Sequence, residues 1–283
     1  MPILHDQWEF DVLGIANYDN PGKLKPYFDW IKINHKKVDG DLAEAGVFNG
    51  KSLLSTGLLL KELGSDKRVY GFDSFSGFPS IYHAKDDISQ FNDLYKTGRI
   101  DKTHYEAHQK LKKYRTILKN NDVTVKSISS SNDFSEVNLE KLIRKIELLG
   151  LDNIHIVKGS FSETMDDGKY INLHLMSCLL DCDLYQSYQL ALPFFWKRLS
   201  FGGYLWLDEY YSLKFPGARI ACDEYFSSCK EKPKMYPRLD GEFERWYVIK
   251  NQVSIQGDNN NEALKRNYPG SNNYFQQGPN IRS

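Results

Sequence analysis

Six acidic residues could do chemistry together, because each follows a short apolar run of the kind that forms a buried strand. They are Glu44, Asp73, Asp181, Asp183, Asp208 and Glu209. In a parallel sheet the carboxyl ends of all strands lie along one edge, and that edge is where ligands bind. Carboxylates gathered there repel one another unless cations or hydrogen-bond donors neutralise them. The pattern therefore predicts a functional site rather than an ordinary charged surface.

The first acid begins a glycine-containing turn, Glu44-Ala-Gly46-Val-Phe-Asn49-Gly50. Glycines between a strand and a helix let the backbone approach a ligand, and the helix start then offers free N–H groups. Asp73, 23 residues beyond Gly50, lies where such folds place a carboxylate on two ribose hydroxyls. The acid at the strand end suits a ligand ammonium group. Together these features favour a ligand with a ribose and a cationic amino-acid tail, although simple turn chemistry explains the glycines alone.

A phosphate-binding interpretation of the same turn stays open. The segment from Ala45 to Ser52 resembles a phosphate loop in which Ala replaces the first Gly. Asp181 would then be the strand-end aspartate that helps to hold magnesium. Against this interpretation, Glu44 would lie beside the nucleotide phosphates and Asp73 would have no role. A nucleotide hydrolase or kinase is therefore the alternative function.

The apolar periodicity defines the elements that must position these acids. Strands are predicted at 41–48, 68–75, 154–157, 171–180 and 204–207, with a late strand at or near the sheet edge at 245–250. Helices are predicted at 23–37, 51–63, 139–149 and 184–199, the last of them kinked near Pro193. Strands that alternate with helices predict an α/β fold with a Rossmann-like, doubly wound, mostly parallel sheet.

The composition along the chain predicts three parts. Residues 1–40 are expected to form an N-terminal helical segment, and residues 41–250 the α/β domain. Within that domain, residues 81–150 are too many for a plain crossover and predict a helical insertion that serves as a lid. Residues 251–283 contain many Asn and Gln and few large apolar residues, so they predict a polar tail.

Composition also narrows the classes of partner. Lys plus Arg and Asp plus Glu each total 37 among 283 residues, so the formal net charge is zero. This balance argues against nucleic acid as the main partner, and a basic run at 110–119 is better explained as a solvated helix face. No apolar run approaches the about 20 residues that span a bilayer, and the first residues do not resemble a signal peptide. We therefore expect a cytoplasmic protein without a membrane partner, and the sequence leaves a homo-oligomer open.

Five segments of the chain occur together in a known family. They are Glu44-x-Gly46-x-x-x-Gly50, Asp73-Ser74-Phe75-x-Gly77-x-Pro79, Lys158-Gly159-Ser160-Phe161-Ser162-x-Thr164, Asp181-x-Asp183-Leu184-Tyr185-x-Ser187, and Gly202-Gly203-Tyr204 followed by Asp208-Glu209-Tyr210. In content and order they resemble the macrocin O-methyltransferase (TylF-type) family of class I S-adenosylmethionine-dependent methyltransferases, which act on sugar hydroxyls. The resemblance extends over residues 40–250.

The resemblance implies a role for each segment. The methionine part of S-adenosylmethionine would be held by Glu44, Gly46, Asn49 and Gly50. The rest of this cofactor would be held by Asp73 and Ser74 at the ribose and by Gly159, Ser160 and Phe161 at the adenine. Magnesium, or manganese, would be bound by Asp181, Asp208 and Glu209, since oxygen ligands favour these ions. The catalytic residues would be Asp181 and, as general base, Asp183.

Two positions depart from the family pattern. Cys182 lies where the family usually has Gly, and Glu209 replaces the second Asp of a usual Asp-Asp pair. Glu keeps a hard oxygen ligand, although its extra methylene moves the carboxylate by about 1.5 Å. The predicted function is a metal-dependent methyl transfer to a hydroxyl of a sugar or sugar-containing small molecule. A methyltransferase of a catechol-type phenol and a non-catalytic cofactor-binding protein stay open as further alternatives.

Five aromatic or imidazole side chains carry weaker expectations. Tyr185, Tyr210 and Tyr211 follow strand ends and could stack on a sugar, although simple packing explains tyrosines equally well. His155 and His174 fall within predicted strands, where satisfied interior histidines are more common than ligands.

Overall fold

A seven-stranded sheet forms the centre of the part of the chain that the structure describes. The structure is a computed structural model, and the described residues are 4–20, 22–166, 168–238 and 242–251. The strands are β1 (Asp41–Ala45), β2 (Val69–Asp73), β3 (Ile154–Lys158), β4 (Leu175–Leu180), β5 (Leu199–Leu207), β6 (Lys234–Met235) and β7 (Trp246–Ile249). The predicted polar tail lies, from residue 252 onward, outside the described residues.

The order of the strands across the sheet is β3-β2-β1-β4-β5-β7-β6. The first five strands are parallel, and β7 is antiparallel to both of its neighbours. In the central strand β1, Ala45 pairs with Phe72 of β2 on one side and with Leu180 of β4 on the other. The order reverses between β1 and β4, so their carboxyl ends border the crevice where ligands bind in such folds. The predicted fold class is confirmed.

Two strands differ from their predicted bounds. β4 begins at Leu175 rather than at 171. β5 begins at Leu199 rather than at 204, because a register shift against β4 accommodates the Gly202-Gly203 pair, which in sequence resembles a turn. The late strand was predicted at or near the edge, and β7 indeed lies next to the edge strand β6.

The two histidines that were predicted to be interior differ from each other. His155 lies in β3 and stacks on Tyr70, with ring centroids 5.1 Å apart. Its Nε2 is buried and has no hydrogen-bond partner among the described residues. His174 lies just before β4 and is exposed, so the prediction for it was wrong. The cause is the later start of that strand.

Helices connect these strands, and they are α1 (Gln7–Leu13), α2 (Lys25–Asn34), α3 (Lys51–Glu62), α4 (Gln90–Lys96), α5 (Lys102–Lys119), α6 (Leu139–Leu148), α7 (Phe161–Thr164), α8 (Tyr185–Arg198) and α9 (Pro216–Ser227). Single turns of 3-10 helix lie at Ala84–Asp86 and Asp208–Tyr210. α8 continues through Pro193, where the sequence predicted a kink. Within the described ranges, no helix combines the length and the apolar character that crossing a membrane would require.

Local side chains determine where the helices of the insertion begin. The carboxylate of Asp101 accepts a hydrogen bond of 2.8 Å from the backbone N–H of His104 at the start of α5. The side chain of Asn138 accepts an equivalent bond of 2.8 Å from the N–H of Lys141 at the start of α6. Such caps satisfy backbone groups that the first turn of a helix leaves without partners. Both helices therefore have a start that is encoded by neighbouring residues.

Helices cover both faces of the sheet. One face packs against α4, α8 and α9, with Phe72 and Phe195 fully buried between them. The other face packs against α1, α2, α3 and α6, with Phe28, Leu54 and Leu142 buried. The N-terminal helices are therefore part of the main core rather than a separate appendage.

The segment 81–150, predicted as a helical insertion, contributes to both faces and to a third small core. α6 packs beside α3 as an ordinary crossover helix, while α4 packs beside α9. Between these helices, Val125 and Ile128 are buried against Leu184 and Phe215, which follow β4 and β5. The segment thus reaches over the carboxyl edge of the sheet, and its action as a lid stays a prediction.

Candidate active site

A cavity of about 500 Å³ opens at the carboxyl edge of the sheet. It is lined by the turns after β1, β2, β3 and β4 and by part of the segment 81–150. The predicted site residues in its wall are Gly46, Asn49, Asp73, Ser74, Ser160, Phe161, Asp181 and Asp183. The predicted site residues that lie outside this wall are Glu44, Gly50, Gly159, Asp208 and Glu209. One space is therefore bordered by the turn predicted to hold a cofactor and by two acids predicted to be catalytic.

The two glycines of the first turn are required by packing within the protein. Gly46 has φ of 88°, and a Cβ there would lie 1.8 Å from the carbonyl oxygen of Asp181. Gly50 has φ of 77°, and a Cβ there would lie 2.3 Å from Cδ1 of Leu142 in α6. Both backbone conformations are ones that L side chains rarely adopt. Gly46 therefore brings the turn after β1 directly against the turn after β4.

Asp73 lies at the end of β2 and its carboxylate is held by three backbone groups. Oδ2 accepts hydrogen bonds of 2.8 Å from the N–H groups of Val47 and Phe48. Oδ1 accepts a bond of 2.6 Å from the N–H of Phe75. Phe48 and Phe75 both have positive φ, at 47° and 54°, which non-glycine residues uncommonly adopt. The carboxylate is thus fixed in the cavity wall before any ligand binds.

The segment predicted to lie at an adenine follows β3 and begins α7. The Ser160 hydroxyl lies 2.7 Å from Oε2 of Glu163, and the Ser160 N–H donates to the same oxygen over 3.2 Å, which forms a capping box. The N–H of Gly159 donates to the carbonyl oxygen of Asp73 over 3.0 Å. This bond joins the segment to β2, so that Ser160 and Phe161 face the same cavity as Asp73.

Glu44 is buried beneath the first turn, with only 1% of its surface exposed. Its Oε1 accepts a bond of 2.6 Å from the hydroxyl of Ser52 in α3. Burial, and then the nearby charge of Asp181, raise the pKa of Glu44 well above its usual range. The Ser52 bond also weakens the phosphate-loop alternative, because that hydroxyl is directed to an acid rather than to a metal site.

Three acids meet where the neighbouring strands β4 and β5 end. One carboxylate oxygen from each of Asp181, Asp208 and Glu209 lies within 4.8 Å of the other two. β4 and β5 are paired, with Leu180 opposite Leu207, so the residues that follow them are adjacent in space. These are the three acids that the family resemblance grouped as metal ligands.

Few hydrogen-bond donors serve this acidic cluster of Asp181, Asp208 and Glu209. Asp208 receives the Lys23 ammonium on Oδ2 and the Trp206 indole N–H on Oδ1, the latter over 3.0 Å. Glu209 has its Oε2 2.9 Å from the hydroxyl of Tyr188. Both Asp208 and Glu209 are buried. A buried carboxylate without enough partners is costly in its ionised form.

The pKa values reflect this shortage of donors. Burial and the charge of Asp208 raise the pKa of Asp181 to about 6. Burial and the charge of Asp181 raise the pKa of Glu209 well above its usual range. Burial acts in the same direction on Asp208, but the Lys23 ammonium together with hydrogen bonds from Glu209 and Trp206 holds the pKa of Asp208 below its usual range. Lys23 therefore favours the ionised form of Asp208 within the cluster.

Asp183 occupies a strained backbone position beside the cluster. Its φ is 58°, in the left-handed region, and only 8% of its surface is exposed. Burial, and then the charge of Asp181, raise the pKa of Asp183 well above its usual range. Strain of this kind persists only where the surroundings enforce it, and it concentrates at functional sites. The sequence carries no signal for this strain, because an Asp before a helix ordinarily indicates a cap.

Apart from Phe161, the aromatic residues in the cavity wall are not those predicted, since the three predicted tyrosines lie elsewhere. Phe48, Phe78, Tyr82 and Phe134 line the cavity, and Phe134 packs against Phe48 and Phe78 with centroids 5.2 Å and 5.1 Å away. None of the three predicted tyrosines is in the wall: Tyr185 bonds to Glu224, Tyr210 bonds to Asp223, and Tyr211 packs on His104. The helical turns that follow β4 and β5 direct these tyrosines away from the crevice.

Asp86, another residue of the cavity wall, was missed in the sequence. Its Oδ1 accepts a bond of 2.7 Å from the N–H of Tyr185, the first residue of α8. A Cβ on Gly217, at the start of α9, would lie 2.0 Å from the same oxygen. Asp86 Oδ2 is buried and has no partner among the described residues, and burial raises the pKa of the acid to about 6. Nothing near Asp86 in sequence indicates that it lies between two helix starts.

The sheet order, the glycine turn and the acids at the carboxyl edge together define the Rossmann-like fold class of S-adenosylmethionine-dependent methyltransferases. Two solved structures have this fold. The O-methyltransferase NovP matches with a TM-score of 0.54 and 20% identity over 79% of each chain. CalS11, a calicheamicin methyltransferase, matches with a TM-score of 0.51 and 17% identity over 87% of this chain and 94% of its own. At these identities the likeness establishes the fold.

The family follows from the sequence match. The profile of the macrocin-O-methyltransferase (TylF) family matches residues 29–117 and 114–236. The chain belongs to this family, and the resemblance seen in the five segments is confirmed. The nucleotide-hydrolase alternative loses its basis.

Curated relatives are similar over part of their length. Demethyldecarbamoylnovobiocin O-methyltransferase of Streptomyces niveus is 26% identical over 189 residues, which are 66% of this chain and 58% of the relative. Mycinamicin III 3''-O-methyltransferase of Micromonospora griseorubida is 26% identical over 190 residues, 66% of this chain and 61% of the relative. The matched region thus spans less than two thirds of each relative.

Proposed function

We propose that this chain transfers the methyl group of S-adenosylmethionine to a hydroxyl of a sugar or sugar-containing small molecule. The observation that carries the proposal is the single cavity whose wall holds both Asp73, at the cofactor side, and Asp183, at the side of the acidic cluster. A methyl transfer needs the donor and the proton acceptor within one enclosed space. The relatives, whose names describe O-methyltransferases of a novobiocin precursor and of mycinamicin III, support this substrate class.

The cofactor side of the cavity suits S-adenosylmethionine. Asp73 is fixed by three backbone N–H groups: Oδ2 accepts two of them, and Oδ1 accepts one and keeps a lone pair for a ribose hydroxyl. Phe161, in the wall beside Ser160, offers an apolar surface for the adenine. The sulfonium and ammonium groups of the cofactor are cationic, and the Asp181 carboxylate in the cavity wall attracts them.

Asp183 is the proposed general base. A neutral hydroxyl is a weak nucleophile, so its proton has to leave as the oxygen attacks the methyl carbon. In the proposed step the C–O bond forms while the C–S bond breaks, the proton passes to Asp183, and S-adenosylhomocysteine leaves as the neutral thioether. The raised pKa of Asp183 makes its carboxylate a stronger proton acceptor than an exposed aspartate.

The acidic cluster fits a divalent cation. It offers three oxygen ligands within 4.8 Å of one another, and Lys23 is the cation that contacts it directly among the described residues. Three acids against one bonded lysine leave excess negative charge, and hard oxygen ligands favour magnesium or manganese. Such an ion, held by Asp181, Asp208 and Glu209, would lower the pKa of the acceptor hydroxyl and orient it.

A direct test incubates the chain with S-adenosylmethionine and a panel of sugar-containing acceptors, with a catechol as the competing acceptor class. The expected result is a mass gain of about 14 Da on a sugar-containing acceptor, the mass that replacing a proton by a methyl group adds. In parallel, S-adenosylhomocysteine at 100 times its dissociation constant should stabilise the fold by about 2.7 kcal/mol. Stabilisation by ATP alone, or methylation of the catechol alone, would contradict the proposed function.

A further inference from the structure

Lys23 joins the N-terminal segment to the acidic cluster, although 185 residues separate it from its partner Asp208. It lies just before α2, whose residues Tyr27 and Phe28 are fully buried in the main core. Tyr18 on the other side of Lys23 is also buried, with its ring centroid 6.1 Å from that of Phe28. The packing on both sides of Lys23 therefore places its ammonium at the acidic cluster.

The Lys23 side chain and its partner differ in exposure. The side chain of Lys23 is 55% exposed, whereas that of Asp208 is 3% exposed. The lysine thus reaches from the surface to a buried oxygen.

Lys23 and a divalent cation would both bind the carboxylate of Asp208. Asp208 Oδ1 already accepts the Trp206 N–H, and Oδ2 accepts the Lys23 ammonium. A cation bound to Asp181 and Glu209 as well as Asp208 would lie beside the ammonium at close range. Two positive charges that close repel strongly in a site with little water. The cluster therefore accommodates one of the two cations at a time.

We propose that Lys23 is a built-in competitor of the divalent cation, so that metal binding displaces its ammonium from Asp208 and frees the N-terminal segment from the acidic cluster. This inference rests on the proposed metal site and goes beyond it. It assigns a function to an N-terminal lysine outside the five family segments. The metal-free protein uses Lys23 as its counter-ion, and the metal-bound protein does not.

The test measures Mn²⁺ binding by the loss of the free-ion electron paramagnetic resonance signal, without any turnover. Lys23→Met should bind Mn²⁺ about tenfold more tightly than the wild type, since removing a competitor raises the apparent affinity. Lys23→Arg keeps the charge and should stay within about twofold of the wild type. Lys25→Met is the matched control, because Lys25 pairs with Asp29 on its own helix and should leave Mn²⁺ affinity unchanged.

A second measurement uses the wild-type protein and does not depend on a variant that folds. Acetylation of lysines by a limiting reagent, read out by mass spectrometry, should modify Lys23 faster when Mn²⁺ is present. Lys25 should be modified at the same rate with and without the ion.

The outcomes separate this inference from the proposed function. Mn²⁺ binding that is equal or weaker in Lys23→Met, with an unchanged acetylation rate of Lys23, would overturn the competition while the metal site stands. Absence of Mn²⁺ binding in every variant, with S-adenosylhomocysteine still bound, would overturn both the metal site and the competition but leave the methyl-donor site intact.

Discussion

The two sides of the cavity differ in how their carboxylates are partnered. On the cofactor side, Asp73 accepts three backbone N–H groups from its own turn and from the turn after β1. On the other side, Asp181, Asp183 and Glu209 are crowded together, and each has a raised pKa because burial and neighbouring acids oppose ionisation. The Asp73 carboxylate therefore has its donors within the fold, whereas the three acids on the other side have few donors among the described residues.

This difference predicts which property of the protein, ligand binding or turnover, depends on pH and on cations. A carboxylate held by backbone N–H groups has partners that carry no titratable charge. A cluster of coupled acids changes with pH and with cations, because each charge depends on the others. Four substitutions test this comparison, and they follow in order of expected effect.

Asp183→Asn should lower kcat by about 10² to 10⁴, the usual contribution of a general base. Asn tolerates the left-handed backbone that Asp183 adopts, so the turn should keep its shape. Steady-state kinetics measure the loss, and thermal shift with S-adenosylhomocysteine should show unchanged cofactor binding. Wild-type turnover in this variant would remove Asp183 from the mechanism.

Asp181→Ala should lower turnover by about 100-fold and abolish its sensitivity to EDTA, because a metal ligand is lost. The wild type should lose activity in EDTA and regain it with added magnesium. The control is cofactor affinity, which should be retained since the Asp73 side is unaltered. A variant that turns over at the wild-type rate and ignores EDTA would refute the metal-dependent mechanism.

Asp86→Asn should change how stability depends on pH. Between pH 4.5 and pH 7.5 the wild type should lose on the order of 2 kcal/mol of unfolding free energy that the Asn variant keeps. The pKa of Asp86 is raised to about 6 in the folded protein from 3.8. The folded state therefore holds a proton that the unfolded state has lost, and the associated stability disappears as pH rises through 6. Asn cannot ionise and keeps the bond to Tyr185.

Urea unfolding at both pH values measures the effect of Asp86→Asn. The matched control is Asp87→Asn on the exposed neighbour, whose pKa is lowered by hydrogen bonds to Ser89. That variant should change little between these two pH values, because both lie above the unfolded pKa of 3.8, where a lowered pKa already contributes its stability. A flat difference between Asp86→Asn and wild type across this range would show that the buried acid carries no such energetic cost.

Asp73→Ala should weaken S-adenosylhomocysteine binding by about tenfold, with a smaller effect on kcat at saturating cofactor. The substitution removes the acceptor for the N–H groups of Val47, Phe48 and Phe75 as well as the proposed ribose contact. Isothermal calorimetry measures the affinity, with the exposed Asp152→Ala as control. If affinity is retained and only kcat falls, Asp73 belongs to the acidic side in function, and the comparison of the two sides fails.

The convergence of the acids could be predicted from the sequence because it follows from two general rules. Apolar runs mark strands, and parallel strands end at one edge, so Asp73, Asp181 and Asp208 had to approach one another. The fold class and the family segments followed from equally local signals. The inaccurate bounds, as at His174, occurred where an apolar run continues beyond the residues that pair in the sheet.

Sequence alone thus determined which residues end the strands and which family the chain resembles, because those features depend on neighbours within a few residues. Only the tertiary structure decided that Lys23 reaches Asp208, that Asp86 lies between the starts of α8 and α9, and that the aromatic wall comes from Phe48, Phe78 and Phe134. These contacts join segments far apart in the chain. They depend on how the helices pack over the sheet edge, and no periodic pattern encodes that packing.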